Sequence, residues 1–128
     1  MAERFSTVTE ADEQRILHEK NAANTHKATA IAWGTLTTYC TVKGIRFDIA
    51  TVTPNELDTI LQKFYLELRK QDGNLYKKTT FRAIRNGIQR KLKDVRQIDI
   101  VNDGHFTHSN NAFQAQCVQL KKMWLGEG

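Results

Sequence analysis

Thr53-Pro54-Asn55-Glu56-Leu57-Asp58-Thr59-Ile60-Leu61-Gln62-Lys63-Phe64-Tyr65-Leu66-Glu67-Leu68 is the stretch that decides the fold. Threonine at the N-cap, proline at the first helical position and glutamate at the third form a capping box. The hydroxyl accepts a free N–H of the first turn, proline has no N–H to leave unpaired, and the carboxylate can reach back. Leu57, Ile60, Leu61, Phe64, Tyr65 and Leu68 then recur at i, i+3, i+4, i+7, i+8 and i+11, the pattern of a helix buried along one side. Asp72-Gly73-Asn74 ends it in a turn.

Outward from this helix, the neighbouring segments also read as helices. Downstream, a helix is predicted from about Thr79 to Val95, with Phe81, Ile84, Ile88, Leu92 and Val95 on one narrow face. A looser stretch, Gln97 to Ser109, follows, anchored by Ile98, Ile100 and Phe106. A last helix is predicted from Asn110 to Leu125, with Phe113, Cys117, Leu120 and Trp124 on one side. Upstream, Ile45 to Val52 reads as a connection that folds Ile45, Phe47 and Ile49 back onto the core.

Before it, a helix from Thr25 should stop at Gly44, and no charge interrupts it between Lys27 and Lys43. Trp33, Leu36 and Cys40 share one face, with Ile31 and Val42 on the other. This predicts a central helix, with a close helix crossing at Gly34. Asn21 to Asn24 are expected to separate it from a first helix, Glu10 to Lys20, which Thr9 caps and Glu10, Asp12 and Glu13 open with negative charge. The expectation is a five-helix, bundle-like, all-α domain without internal repeats.

Composition agrees with one soluble domain: 128 residues, 40% hydrophobic and 26% charged, with one proline and seven glycines. No window approaches the ~18 apolar residues of a membrane span, and the first residues lack the apolar run of a signal peptide. Cys40 and Cys117, each among apolar neighbours, read as buried thiols of a reducing compartment. The protein is therefore expected to be intracellular.

The net charge of +5 is concentrated. Lys77, Lys78, Arg82, Arg85, Arg90, Lys91, Lys93 and Arg96 face the single acid Asp94, a local balance of +7 within residues 77–96. Solvated helix faces usually mix signs, because i,i+4 pairs of opposite charge support the helix. A helix that forgoes that support points to a polyanion. Lys77, Lys78 and Thr79 stand at its start, where free N–H groups favour phosphate. Arg82, Arg85, Asn86 and Gln89 are side chains that read base edges from a helix in the major groove.

Catalytic signatures are missing. His105 and His108 are three apart, but no cysteine or further histidine completes a zinc site. There is no phosphate-binding glycine loop, nucleophile elbow or HExxH. No enzyme activity, cofactor, metal or small-molecule substrate is expected.

Three stretches together resemble a known family. Asn24-Thr25-His26-Lys27-Ala28-Thr29 opens a tryptophan-containing helix. Glu56-Leu57-Asp58 leads to Phe64-Tyr65-Leu66-Glu67-Leu68-Arg69-Lys70-Gln71-Asp72-Gly73 and then Tyr76. Ile84-Arg85-Asn86-Gly87-Ile88-Gln89-Arg90 is followed by Ile98-Asp99-Ile100 and by Phe106 through Ser109-Asn110. Over residues 4–122 the chain resembles the N-terminal core-binding domain of Crypton-type tyrosine recombinases and of host proteins derived from them, among them vertebrate zinc-finger MYM-type and glutamine-rich proteins.

The resemblance implies a compact, SAM-like bundle of four to five helices forming a single domain over residues 4–125. It implies that the domain clamps a recombinase half-site of duplex DNA, while a separate C-terminal catalytic domain, absent from this chain, cuts and rejoins strands. By position, the DNA-binding residues it implies are Thr25, His26 and Lys27 on the second helix and Lys77, Lys78, Thr79, Arg82, Arg85, Asn86, Gln89, Arg90 and Lys93 on the fourth. None of Tyr39, Tyr65 and Tyr76 should be a nucleophile. A nuclear location and self-association on DNA through the C-terminal helix follow from the same resemblance, with no membrane partner. The competing expectation is a domesticated protein-interaction module that has lost DNA binding.

Overall fold

The computed structural model describes residues 4–126, with side chains up to Met123. It is all-helical, with no strand among the described residues. Four α-helices, α1 (Glu10–Lys43), α2 (Pro54–Glu67), α3 (Lys78–Arg96) and α4 (Thr107–Gly126), pack as a compact bundle, and a single 3₁₀ turn, Gly104–Phe106, leads into α4. The main contacts pair α1 with α3 and α2 with α4.

α2 has the expected build. The Thr53 hydroxyl accepts from the Glu56 N–H at 3.2 Å, and all six residues of its stripe are buried. Its Phe64 and Tyr65 join Phe81 of α3 and Phe113 of α4 in an aromatic cluster. Tyr65 meets Phe113 edge-on at 5.3 Å, and Phe81 stacks on Phe113 at 4.8 Å. Such pairs add to the area they bury, typically ~0.5–1.5 kcal/mol each.

α1 departs from expectation. One helix of 34 residues replaces the two predicted, and Asn21 to Asn24 lie inside it. Asparagine is only a mediocre helix former, and Ala22 and Ala23 between the two are the best there are. With no glycine or proline in the stretch, nothing stops the helix. Thr9 caps its start, accepting from the Asp12 N–H at 3.2 Å, and Gly44 ends it in the left-handed conformation at φ 68°. From Glu10 to Ala28 no residue is buried, so the first half projects from the bundle.

The second half of α1 is not central either. Leu36 and Cys40 are buried, but Ile31 and Val42 remain 62% and 76% exposed. The close crossing is not at Gly34, where an added Cβ would meet nothing within 4 Å. It lies at Gly87 of α3, where a Cβ would come within 2.5 Å of the Ala32 Cβ. An alanine on one helix and a glycine on the other let the backbones meet.

α3 buries Phe81, Ile84, Ile88 and Leu92 as predicted, while Val95, one residue from the helix end, is 47% exposed. Phe113, Cys117 and Leu120 of α4 are buried; Trp124, expected beside them, lies outside the described side chains. Ile45, Phe47 and Ile49 are half-buried against the core, with Phe47 5.5 Å from Trp33. Ile100 and Phe106 anchor the last connection and are fully buried. The buried Asp58 carboxylate of α2 accepts the Ser109 N–H at 2.8 Å, tying down the first turn of α4.

Candidate nucleic-acid interface

The basic residues of α3 are arranged by helix geometry. At ~100° per residue, Lys78, Arg82, Lys93, Asn86, Thr79 and Arg90 fall on an arc of about 120°, opposite the buried Phe81, Ile84, Ile88 and Leu92. Thr79, Arg82, Asn86, Arg90 and Lys93 are exposed and Lys78 half-buried. The stripe from Lys78 to Lys93 runs ~22 Å along the helix axis.

Its charge has no ion-pair partner among the described residues. None of Lys78, Arg82, Arg85, Arg90, Lys91, Lys93 and Arg96 comes within ion-pair distance of an acid among the described residues, where the ion pairs all lie on other elements. Lys93 is near enough to Asp99 to help lower its carboxyl pKa, an effect due first to the Asn102 side chain and backbone N–H. The first turn of α3 contains no acid, and its N-cap residue, Lys77, makes no side-chain cap.

Two expected base readers turn inwards. The Gln89 amide nitrogen donates to the Asp99 carboxylate at 3.2 Å, and its oxygen accepts the Ile100 N–H at 2.7 Å. Both ends of the amide thus clamp the connection to α4. The Arg85 guanidinium lies 3.7 Å over the Phe113 ring. Its Nε is buried without a hydrogen-bond partner, as is the Tyr65 hydroxyl. Burial pushes the Arg85 pKa down and the Tyr65 pKa up. Arg96 is also taken up internally, donating to the Val52 carbonyl at 3.2 Å and the Ile49 carbonyl at 2.6 Å.

The three residues implied on the second helix have no helix N-terminus beneath them. Thr25, His26 and Lys27 lie in mid-helix, all exposed, so dipole and free N–H groups contribute nothing there. Thr25 and His26 line an open cleft of about 770 Å³ between the projecting half of α1 and the second half of α3. Arg90 lines the same cleft, and its Nε donates to the Thr29 hydroxyl at 2.8 Å. Lys27 does not line it. Two residues on from Thr25 it falls ~200° around the helix.

The structure therefore brings together Thr25, His26 and Arg90, and adds Trp33, Lys91 and Asp94 to the same cleft. From the sequence, Trp33 reads as a core residue and Lys91 and Asp94 as part of the charge balance of α3, none of them as a binding residue. The signal available was the helical spacing of His18, Ala22, Thr25, Thr29 and Trp33, which shows one face only if α1 is read as unbroken.

Elsewhere, His105 Nδ1 pairs with Asp103 at 2.7 Å and His108 Nδ1 with Asp58 at 3.1 Å. No group of three metal-ligating side chains occurs among the described residues. Cys40 and Cys117 are free and buried. No described helix is long and apolar enough to cross a membrane.

The chain is similar to the uncharacterized protein KIAA1958 of Homo sapiens and to its homolog of Mus musculus, 31% identical to each over 106 residues. Each match covers 80% of this chain and 14% of the relative, so the chain corresponds to a small part of the curated relatives it matches. No protein-family model and no solved structure matches it.

Proposed function

We propose that this chain is a DNA-binding module of the tyrosine-recombinase core-binding type, gripping duplex DNA through the outer stripe of α3. The observation that carries the reading is the uncompensated charge of that stripe. Exposed cations that repel one another and have no acid paired with them among the described residues are most favourably placed against phosphates, whose counterions they release. A single helix ~22 Å long also fits the width and depth of a major groove. With Gln89 and Arg85 held internally, Arg82 and Asn86 are the side chains left to reach base edges, and Lys78, Thr79, Arg90 and Lys93 to meet backbone.

The tyrosines support a role without strand cleavage in this chain. The Tyr39 hydroxyl donates to Glu67 at 2.9 Å and Tyr65 is buried in the core; burial raises the pKa of both phenols. Cleavage and rejoining would belong to another domain of the intact protein, and a nuclear location would follow. Self-association on DNA would use the outer side of α4, where Val118 is about half exposed.

A titration against random duplex DNA at several salt concentrations tests the reading. Affinity should be micromolar or weaker at physiological salt. With ~4–6 phosphates contacted, log K should fall against log salt with a slope near −4 to −5. A flat salt dependence overturns it. The alternative, a protein-interaction module, rests on one feature: the exposed Ile31 and Val42 line a groove with Tyr39, Leu68 and Tyr76. It would take over if the α3 cations could be removed without loss of DNA binding.

A further inference from the structure

We infer that the cleft between the projecting half of α1 and α3 takes an unpaired nucleobase, guanine above the others. The proposal rests on the nucleic-acid reading of α3 and names a second ligand form for a cleft that shares Arg90 with the stripe. Three features of the cleft point to it. Trp33 lines its wall, with the ring held by Phe47 at 5.5 Å. Arg90 and Lys91 line it as cations without an acid partner among the described residues. Asp94, the only acid of α3, lines it too and makes no described hydrogen bond or ion pair.

An indole offers a stacking platform to any base, and the two cations suit the phosphate attached to it. The carboxylate is the selective element. In a phosphate-binding surface a carboxylate repels the phosphates, so opposite a donor edge it favours one base over the others. Guanine presents two adjacent donors, N1–H and N2–H, that a carboxylate can accept side by side. Cytosine and adenine each present an exocyclic amine beside an acceptor, and thymine one N–H between two carbonyls. A cleft of about 770 Å³ has room for a nucleotide, ligand pockets spanning ~300–1,000 Å³. A base inside a duplex cannot reach it, because its Watson–Crick edge is already paired.

The test uses the chain with Trp124→Phe, which leaves Trp33 as the single tryptophan. Its fluorescence is titrated with single-stranded thymidine pentamers bearing one central guanine, adenine, cytosine or thymine, and a 20-base-pair duplex is titrated in parallel. The guanine pentamer should quench Trp33 and bind roughly tenfold more tightly than all-thymidine, the scale of one good bidentate base contact. Asp94→Asn, at an exposed position that does not endanger folding, should reduce that preference to about twofold. Equal binding of the four pentamers, an unquenched Trp33, or a guanine preference that survives Asp94→Asn each overturns the inference. If the duplex still binds with a steep salt dependence, the DNA reading stands without it. If neither pentamers nor duplex bind at low salt, both fall together.

Discussion

The inward face of α3 consists of Phe81, Ile84, Ile88 and Leu92, all buried, and its outward face of Lys78, Arg82, Asn86, Arg90 and Lys93, none fully buried and none paired with an acid among the described residues. The two faces share one backbone and obey different demands. Packing alone accounts for every residue of the inner face. Apart from the Arg90–Thr29 hydrogen bond, no contact among the described residues accounts for the outer one, where a mixed-sign surface would have been more stable. A cost to stability that the fold does not require is what the proposed DNA partner would offset. Arg85 and Gln89 lie between the faces, and their contacts assign them to the inner one: Phe113 takes the guanidinium and the 99–100 turn takes the amide.

The largest effect that could break this division lies in the core. Phe113 touches Tyr65, Phe81 and Arg85 at once. Phe113→Ala should lower stability by about 3–5 kcal/mol, read by urea denaturation. A loss below ~1 kcal/mol would mean that the aromatic cluster does not hold α3 in place. Next is the crossing of α1 and α3. Gly87→Ala gains ~1 kcal/mol of helix propensity but forces two Cβ atoms together, and overpacking costs about 1–3 kcal/mol. A Cβ–Cβ approach of 2.5 Å with no flexible side chain to move puts the clash at the upper end. A net loss of about 1–2 kcal/mol is expected, partly restored by adding Ala32→Gly. Full stability in Gly87→Ala would show that the helices lie further apart.

The sequence told these elements apart unevenly, for physical reasons. The α2 stripe and its cap were legible because every signal there is local: a hydroxyl, a proline and a periodicity. The long α1 was divided at Asn21 to Asn24 because asparagine often ends helices, yet ending one needs a competing bond or a residue that cannot continue, and neither is present. Gly34 and Gly87 look alike in sequence, and only the tertiary crossing distinguishes the glycine that is needed for contact. Ile31 and Val42 were placed in a core because the segment around them carries no charge. Threonine explains that neutrality instead, since Thr35, Thr37 and Thr41 satisfy their hydroxyls on backbone carbonyls of the same helix. For the basic stripe, periodicity identified the helix that carries it and the side of that helix that stays out of the core. It could not show that the connection after α3 folds back to occupy Gln89, because that depends on contacts between Asp99, Ile100 and Asn110 that no local rule fixes.

A pair of arginines one turn apart sharpens the boundary between the faces. Arg82→Ala should weaken duplex binding several-fold and reduce the salt slope by about one unit, with stability changed by less than ~0.5 kcal/mol. Arg85→Met should behave in the opposite way. Methionine keeps a contact with the Phe113 ring and removes a desolvated charge, so stability should hold or rise while DNA affinity moves by less than about twofold. Should Arg85→Met instead lose affinity as Arg82→Ala does, the guanidinium leaves Phe113 for the DNA, and the boundary drawn at Arg85 is wrong.

The smallest effect tests whether the outer face is kept at a cost. The N-terminus of α3 carries the positive end of the helix dipole, yet it has no acid in its first turn and no side-chain cap from Lys77. Lys78→Glu places a carboxylate at the first helical position, where the dipole favours it by ~0.3–1 kcal/mol. It also removes one cation from a crowd of them. Both changes should stabilise the isolated domain, visible as a rise of a few degrees in Tm. The same substitution sets a negative charge against the phosphates, so duplex affinity should fall by more than in Lys78→Ala, and the deficit should shrink as salt screens the repulsion. A gain in stability coupled to a loss of binding would show that α3 holds its charge for the DNA. If Lys78→Glu destabilised the domain and left binding untouched, the lysine would belong to the fold, and the stripe would begin only at Arg82.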